Sequence, residues 1–144
     1  MASEALASRF EVKADAGTHF AWLRTRLAVE RTVMAWARTS VSLIGFGFTI
    51  FQFFDRLNSM TNVHPAARPA TPWYFALSLI GAGIIGLVIS LFEYRWMIGY
   101  LWSQEFAAVA GVGPKPWNTP IVFIILLLIA VGLVALSAVF LRVT

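Results

Sequence analysis

Apolar positions along the chain gather into three long runs separated by short polar stretches. Residues 35–54, 73–92 and 121–141 each supply about 20 mostly apolar positions, enough to cross a hydrocarbon core of ~30 Å as a helix. The second and third runs carry no charge. The first contains Arg38, and reaches full length only if that guanidinium snorkels to the headgroup level. Ahead of it, from Thr18 as N-cap, the pattern stays helical without proline. Phe20, Leu23, Leu27 and Met34 share one face there, while Arg24, Arg31 and Arg38 recur every seven residues on another. Such a segment is expected to lie along the membrane interface, its arginines toward anionic headgroups; the alternative, a straight continuation of span one, needs a neighbouring subunit to cover the apolar face. The expected fold is therefore all-α: three transmembrane helices plus an N-terminal amphipathic interfacial helix. Residues 1–17 are expected to form a mobile tail and 18–144 one membrane domain.

Composition agrees with lipid as the solvent. Apolar residues make up 59% of the chain and charged ones 12%, too few charges for a water-soluble surface. No cysteine is present, which excludes disulfides, thiolate metal sites and thiol nucleophiles. The charged start holds no apolar core suited to a cleavable signal, so the first span is expected to direct its own insertion. Of the 11 basic residues, eight lie before span one, at its inner end (Arg38) or between spans two and three, and three (Arg56, Arg68, Arg142) fall on the other side. The positive-inside rule then predicts a cytoplasmic N-terminus and a periplasmic or extracellular C-terminus. The net charge of +4 reads as a topology signal, and nucleic acid is not an expected partner.

The segment with most chemistry is Leu27 to Thr39, and counting from just before it an Arg-Thr pair recurs as Arg24-Thr25, Arg31-Thr32 and Arg38-Thr39. Seven residues are nearly two helical turns, so the arginines form a slowly drifting stripe of planar forks able to grip phosphate or carboxylate. The competing reading makes them topology determinants, with Arg26 and Glu30 paired at i,i+4. Glu93 and Arg95, at the inner end of span two, are further candidates for charge pairing, Glu93 with Arg31 or Arg38.

Leu27, Ala28, Glu30, Arg31, Thr32, Ala35, Trp36, Arg38 and Thr39, followed by a glycine-bearing span, resemble the signature of the YidH family of bacterial inner-membrane proteins. The resemblance covers most of the chain from Arg24 onward and implies a location in the bacterial inner membrane. A related membrane domain occurs in the vacuolar transporter chaperone complex, where spans of several subunits form a path for polyphosphate and the polymerase is a separate domain. By that resemblance this chain corresponds to the membrane part only.

Span two carries Ser78, Ala82, Gly86 and Ser90 four apart, a small-residue stripe expected to pack helices together and to support a homo-oligomer. Gly81, Gly83 and Gly86 match a dinucleotide-binding glycine pattern literally. They lie within an apolar span, however, without the strand and helix start that pattern needs. Past Phe92 the helix is expected to continue through Glu105 and to end near Gly111 and Gly113. Five tryptophans (Trp22, Trp36, Trp96, Trp102, Trp117) fall at the predicted inner side, as a collar among headgroups would require. His19 and His64 lack partners at metal-ligand spacing and read as solvated; no metal or other cofactor is expected. The three spans hold no acid or histidine that could relay protons. No catalytic constellation is visible either. Two functions follow as expectations. One is a non-enzymatic, self-associating membrane module binding anionic lipid or another phosphate-bearing ligand through Arg24, Arg31, Arg38, Thr32 and Thr39. The other is a subunit of an oligomeric anion or polyphosphate channel. Its polar lining would have to come from Thr39, Ser40, Ser42, Thr49, Gln52, Ser78 and Ser90.

Overall fold

The computed structural model describes residues 13–60, 71–111 and 119–142. They form α1 (Ala16–Ser59), α2 (Thr71–Leu101), a 3-10 turn (Gln104–Phe106), a short α3 (Ala107–Ala110) and α4 (Pro120–Leu141). Helices α1, α2 and α4 are each long and apolar enough to cross a membrane, and no strand occurs among the described residues. The chain is an all-α, multi-pass membrane protein.

Helix α1 differs from the expected interfacial helix plus span. Its N-cap is Asp15, three residues before Thr18. The Asp15 carboxylate accepts from the Thr18 N–H at 2.8 Å and the Thr18 hydroxyl accepts from the Asp15 N–H at 3.0 Å, a reciprocal capping box. From there the helix runs unbroken for 44 residues, about 66 Å at the helical rise. The amphipathic segment is thus the extension of span one itself. Its packed face is also turned from the expected one: Phe20, Leu27 and Met34 are exposed, whereas Trp22, Val33 and Ala37 are buried.

Helix α2 covers that face. Buried positions on α1 fall at Val33, Ala37, Ser40, Ile44, Gly47 and Phe51. On α2 they fall at Ala76, Ile80, Gly83, Leu87, Ser90 and Tyr94. Steps alternating between four and three average 3.5 residues, the repeat of a left-handed coiled coil. The pair is antiparallel, with Gly47 against Ala76 and Ile80, and Gly83 against Ser40 and Ile44. Glycine sets the spacing: a Cβ on Gly83 would lie 2.7 Å from the Ser40 carbonyl oxygen, and one on Gly47 2.7 Å from that of Ala76. Lipid gives helices no hydrophobic reason to associate, so this close contact carries much of the attraction.

The small-residue stripe expected on α2 divides. Gly86 and Ser90 pack within the chain, Gly86 toward the Ser40 hydroxyl, while Ser78 and Ala82 are exposed. A row of residues four apart advances about 40° around the helix at each step and leaves a 3.5-residue seam. Ala76, Gly83 and Ser90, seven apart, stay on it. By contrast, a Cβ at Gly45 or Gly81 would meet nothing within 4 Å. Gly45→Ala and Gly81→Ala are therefore expected to stabilise the fold by about 0.5–1 kcal/mol, measured by unfolding in mild detergent. A loss of stability at Gly45 instead would show that a second chain covers it.

Helix α4 lies in the furrow between the other two, where a Cβ on Gly132 would stand 2.9 Å from Ile84 and 3.1 Å from Ile44. At one end the Tyr94 hydroxyl donates to Thr119 Oγ1 at 3.1 Å, and at the other Arg142 pairs with Asp55 at 2.7 Å. Helix α4 therefore runs parallel to α1. Only Ile125, Gly132 and Val139, again seven apart, are buried on it. Most of its remaining apolar surface faces outward.

Beyond the spans, α2 stops at Leu101, short of the expected continuation to Glu105. Three-residue hydrogen bonds from Ser103 N–H to the Tyr100 carbonyl and from Phe106 N–H to the Ser103 carbonyl, both 3.0 Å, turn the chain back. Helix α3 then rests against the start of α1, with Val109 buried, and ends at Gly111, whose φ of 77° suits glycine. Trp22 Nε1 donates to the Leu101 carbonyl at 3.0 Å and its ring meets that of Trp102 edge-on at 4.6 Å. Trp22 and Trp102 thus fasten α1 to α2, unlike the exposed Trp36 and Trp96. Trp117 and His64 lie outside the described residues. His19, expected to be solvated, is half-buried, and its Nδ1 is 2.7 Å from the Val109 carbonyl, a contact that requires the ring to donate.

A candidate anion-binding groove

The arginine row lies on the part of α1 that begins in the collar and ends where the charge-free stretch starts at Thr39. Arg24, Arg31 and Arg38 are all exposed. Arg31 and Arg38 share an open groove of about 440 Å³, lined also by Leu27, Glu30, Met34, Ala35 and Ile121. The groove therefore pairs one wall of α1 with the first turn of α4. Arg24 is not among the lining residues, and seven residues put Arg31 and Arg38 about 10.5 Å apart along the axis.

Charge within the groove is unevenly matched. Glu30 pairs with Arg26 across one helical turn, with Arg26 Nε 3.5 Å from a carboxylate oxygen. Arg26 also stands over the Trp102 ring, 5.3 Å from its centroid, so it is held from two sides. Among the described residues no carboxylate pairs with Arg31 or Arg38. Glu93 is exposed on α2 and forms no ion pair with either, and Arg95 is exposed beside it. The ion pair expected between Glu93 and Arg31 or Arg38 does not form.

The threonines of the repeated pair serve their own helix. Thr32 and Thr39 donate their hydroxyl protons to the carbonyls of Ala28 and Ala35, at 3.0 and 3.2 Å, and neither lines the groove. Back-bonding of this kind is common for threonine within helices. At the groove's other wall, Thr119 occupies the N-cap position of α4 but makes no side-chain cap, its hydroxyl accepting from Tyr94 instead. At the positive end of the α4 dipole, beside Ile121, the Val122 N–H donates to the Thr119 carbonyl at 3.0 Å and no side chain of the cap accepts. Sequence reasoning did not find Met34, Ala35 or Ile121 as groove residues. The seven-residue repeat linking Ala28, Ala35 and Ser42 was a usable signal for Ala35; for Ile121, the docking position of α4 was not.

Residues 24–99 match a family described as Domain of unknown function (DUF202), and that stretch is just over half of the 144 residues. The chain belongs to DUF202. The part shared with the DUF202 family opens at Arg24 and closes at Gly99, so it holds the arginine row and the α1–α2 seam from Val33 to Phe51 and from Ala76 to Tyr94. Helix α4, which supplies Ile121 to the groove, lies beyond it. No curated protein and no solved structure shows a significant match to this chain.

Proposed function

We propose that this DUF202 protein is a non-enzymatic, self-associating module of YidH type in a bacterial inner membrane, holding a phosphate-bearing ligand in its arginine groove at the cytoplasmic face. The observation that carries the reading is the unequal pairing of the arginines. Arg26 has Glu30 and Trp102, whereas Arg31 and Arg38 point their charge into a shared concavity without a carboxylate of their own among the described residues. Guanidinium forks suit phosphate because they present parallel donors to two of its oxygens. The cytoplasmic placement rests on the distribution of the 11 basic residues.

Arg31→Lys tests the site. Lysine keeps the charge and the insertion signal but loses the fork, so the variant should insert normally. Its binding to vesicles containing anionic phospholipid, or to polyphosphate, should weaken by about 1–2 kcal/mol. Equal binding by both proteins at low and moderate salt would reduce Arg31 to a topology residue. Orientation has its own check. Cysteines placed singly at Ser8 and Ser59 should react with an impermeant reagent added outside only at position 59.

A second reading, a subunit of an oligomeric anion or polyphosphate conduit, is favoured by the outer face of α1. Arg31, Ala35, Arg38, Ser42, Gly45, Thr49 and Gln52 are all exposed and follow the same 3.5-residue repeat as the seam, on the far side of the helix. A row of polar and small residues suits another protein surface or water better than hydrocarbon. Copies meeting along that row would place it on a shared axis. Cysteine at Ser42 or Thr49 should then give disulfide-linked dimers in membranes, and single-sized monomers throughout would remove this reading.

A further inference from the structure

Resting on the anion-site reading, we infer that the groove between α1 and the start of α4 holds an individual phospholipid of net negative charge, which joins the two helices. Its phosphate meets Arg31 and Arg38, and an acyl chain lies against Met34 and Ile121.

Three features select a lipid over a soluble phosphate. The groove is mixed in character: Leu27, Met34, Ala35 and Ile121 contribute apolar surface beside the two arginines, and a hydrated polyanion has no use for that surface. Its depth is that of a headgroup. Arg38 is the last charge before the charge-free part of span one, and Ile121 opens the apolar run of α4. A ligand bridging these residues has its charged end at the polar boundary and its apolar end toward the hydrocarbon. The pairing is selective as well: the one carboxylate of the lining, Glu30, is engaged by Arg26, so Arg31 and Arg38 leave the groove with a net positive charge that favours a net anionic headgroup over a zwitterionic choline one.

Among the described residues no hydrogen bond or ion pair joins the first turn of α4 to α1 at the groove. The start of α4 is tied to α2 through Thr119 and Tyr94, its middle packs at Gly132, and its end meets α1 through Arg142 and Asp55. A lipid seated between Arg31, Arg38 and Ile121 supplies the missing link at the first turn. Bound ligand stabilises in proportion to the logarithm of its concentration over Kd, so the link has a thermal signature.

The experiment uses the full chain, delipidated in mild detergent, with thermal unfolding and native mass spectrometry as parallel readouts. Phosphatidylglycerol, phosphatidylcholine and soluble tripolyphosphate are added separately. The expected result is one tightly held phosphatidylglycerol per chain, a rise in Tm that grows with its concentration, and little response to phosphatidylcholine. Arg31→Gln and Arg38→Gln should each weaken phosphatidylglycerol binding about tenfold, while Arg56→Gln, at the opposite end of α1, leaves it unchanged. Unfolding without added lipid checks that each variant is folded, and Arg31→Lys/Arg38→Lys, which keeps both charges, provides a second route if a glutamine variant is not. Phosphatidylglycerol binding that ignores both arginines overturns the inference. Arginine-dependent binding of tripolyphosphate without phosphatidylglycerol binding overturns the lipid inference and leaves the anion site standing. No binding of either removes both.

Discussion

Gly83→Leu is expected to force α1 and α2 apart and to lower stability by about 3 kcal/mol or more. The first added carbon alone would come within 2.7 Å of both the Ser40 carbonyl oxygen and Ile44 Cγ1. A side-chain tip could rotate away, but the carbonyl belongs to the α1 backbone and moves only with the helix. Overpacking a tight interior typically costs about 1–3 kcal/mol, and leucine adds three carbons beyond the one that already clashes. The loss spreads along the seam, because a shift at Gly83 also separates Gly47 from Ala76 and Gly86 from Ser40. Thermal or denaturant unfolding in mild detergent is the measurement, with Gly81→Leu for comparison. Gly81 is two residues away in the same helix and faces open space. Equal stability of the two variants would mean that the seam is not a close-packed contact.

The same seam explains how much of the fold was legible in the sequence. Three spans are visible because hydrocarbon imposes a length and a lack of charge that few other environments require. The pairing of spans was harder, because in lipid the inward and outward faces are both apolar. Leu87 is fully buried and Ile85 is 60% exposed, yet nothing in their chemistry separates them. The signal was the period: small residues seven apart at Ala76, Gly83 and Ser90 mark the contact, while the row four apart winds away from it. The long first helix was hidden for a related reason. The face it packs before the span is the one that carries Trp22, covered by α3 and the end of α2, distant in sequence, while Phe20, Leu27 and Met34 stay exposed.

The candidate site was legible in half. Arg31 and Arg38 are evident from charge and spacing, and the local Arg26–Glu30 pair follows from helical geometry. That Glu93 would stay apart from both arginines, and that α4 would bring Ile121 beside them, depends on how three helices dock. Arg24 shows the limit of periodic reasoning. It belongs to the same seven-residue row, but α4 begins too far along α1 for the groove to include it.

Trp22→Ala should release the collar while leaving the spans associated. The indole is the most distant anchor of the α1–α2 contact: it is buried, donates to the Leu101 carbonyl at 3.0 Å, and packs edge-on against Trp102. Removing a buried tryptophan typically costs about 3–5 kcal/mol, and here it also leaves the Leu101 carbonyl without its partner at a helix end. The loss falls outside the membrane-crossing part of the seam, so local opening is expected in preference to global unfolding. Backbone hydrogen exchange should accelerate in residues 16–30 and 102–111, with the segments around Ser40 and Gly83 still protected. The effect should also reach the groove. Arg26 is held over Trp102 and by Glu30, so a loosened Trp102 frees the Arg26–Glu30 pair to shift along the wall that carries Arg31. Phosphatidylglycerol binding should therefore weaken in Trp22→Ala although no groove residue has changed, and restoring a large ring with Trp22→Phe should recover much of it. Unchanged exchange at the start of α1 would show that the collar is held by other contacts.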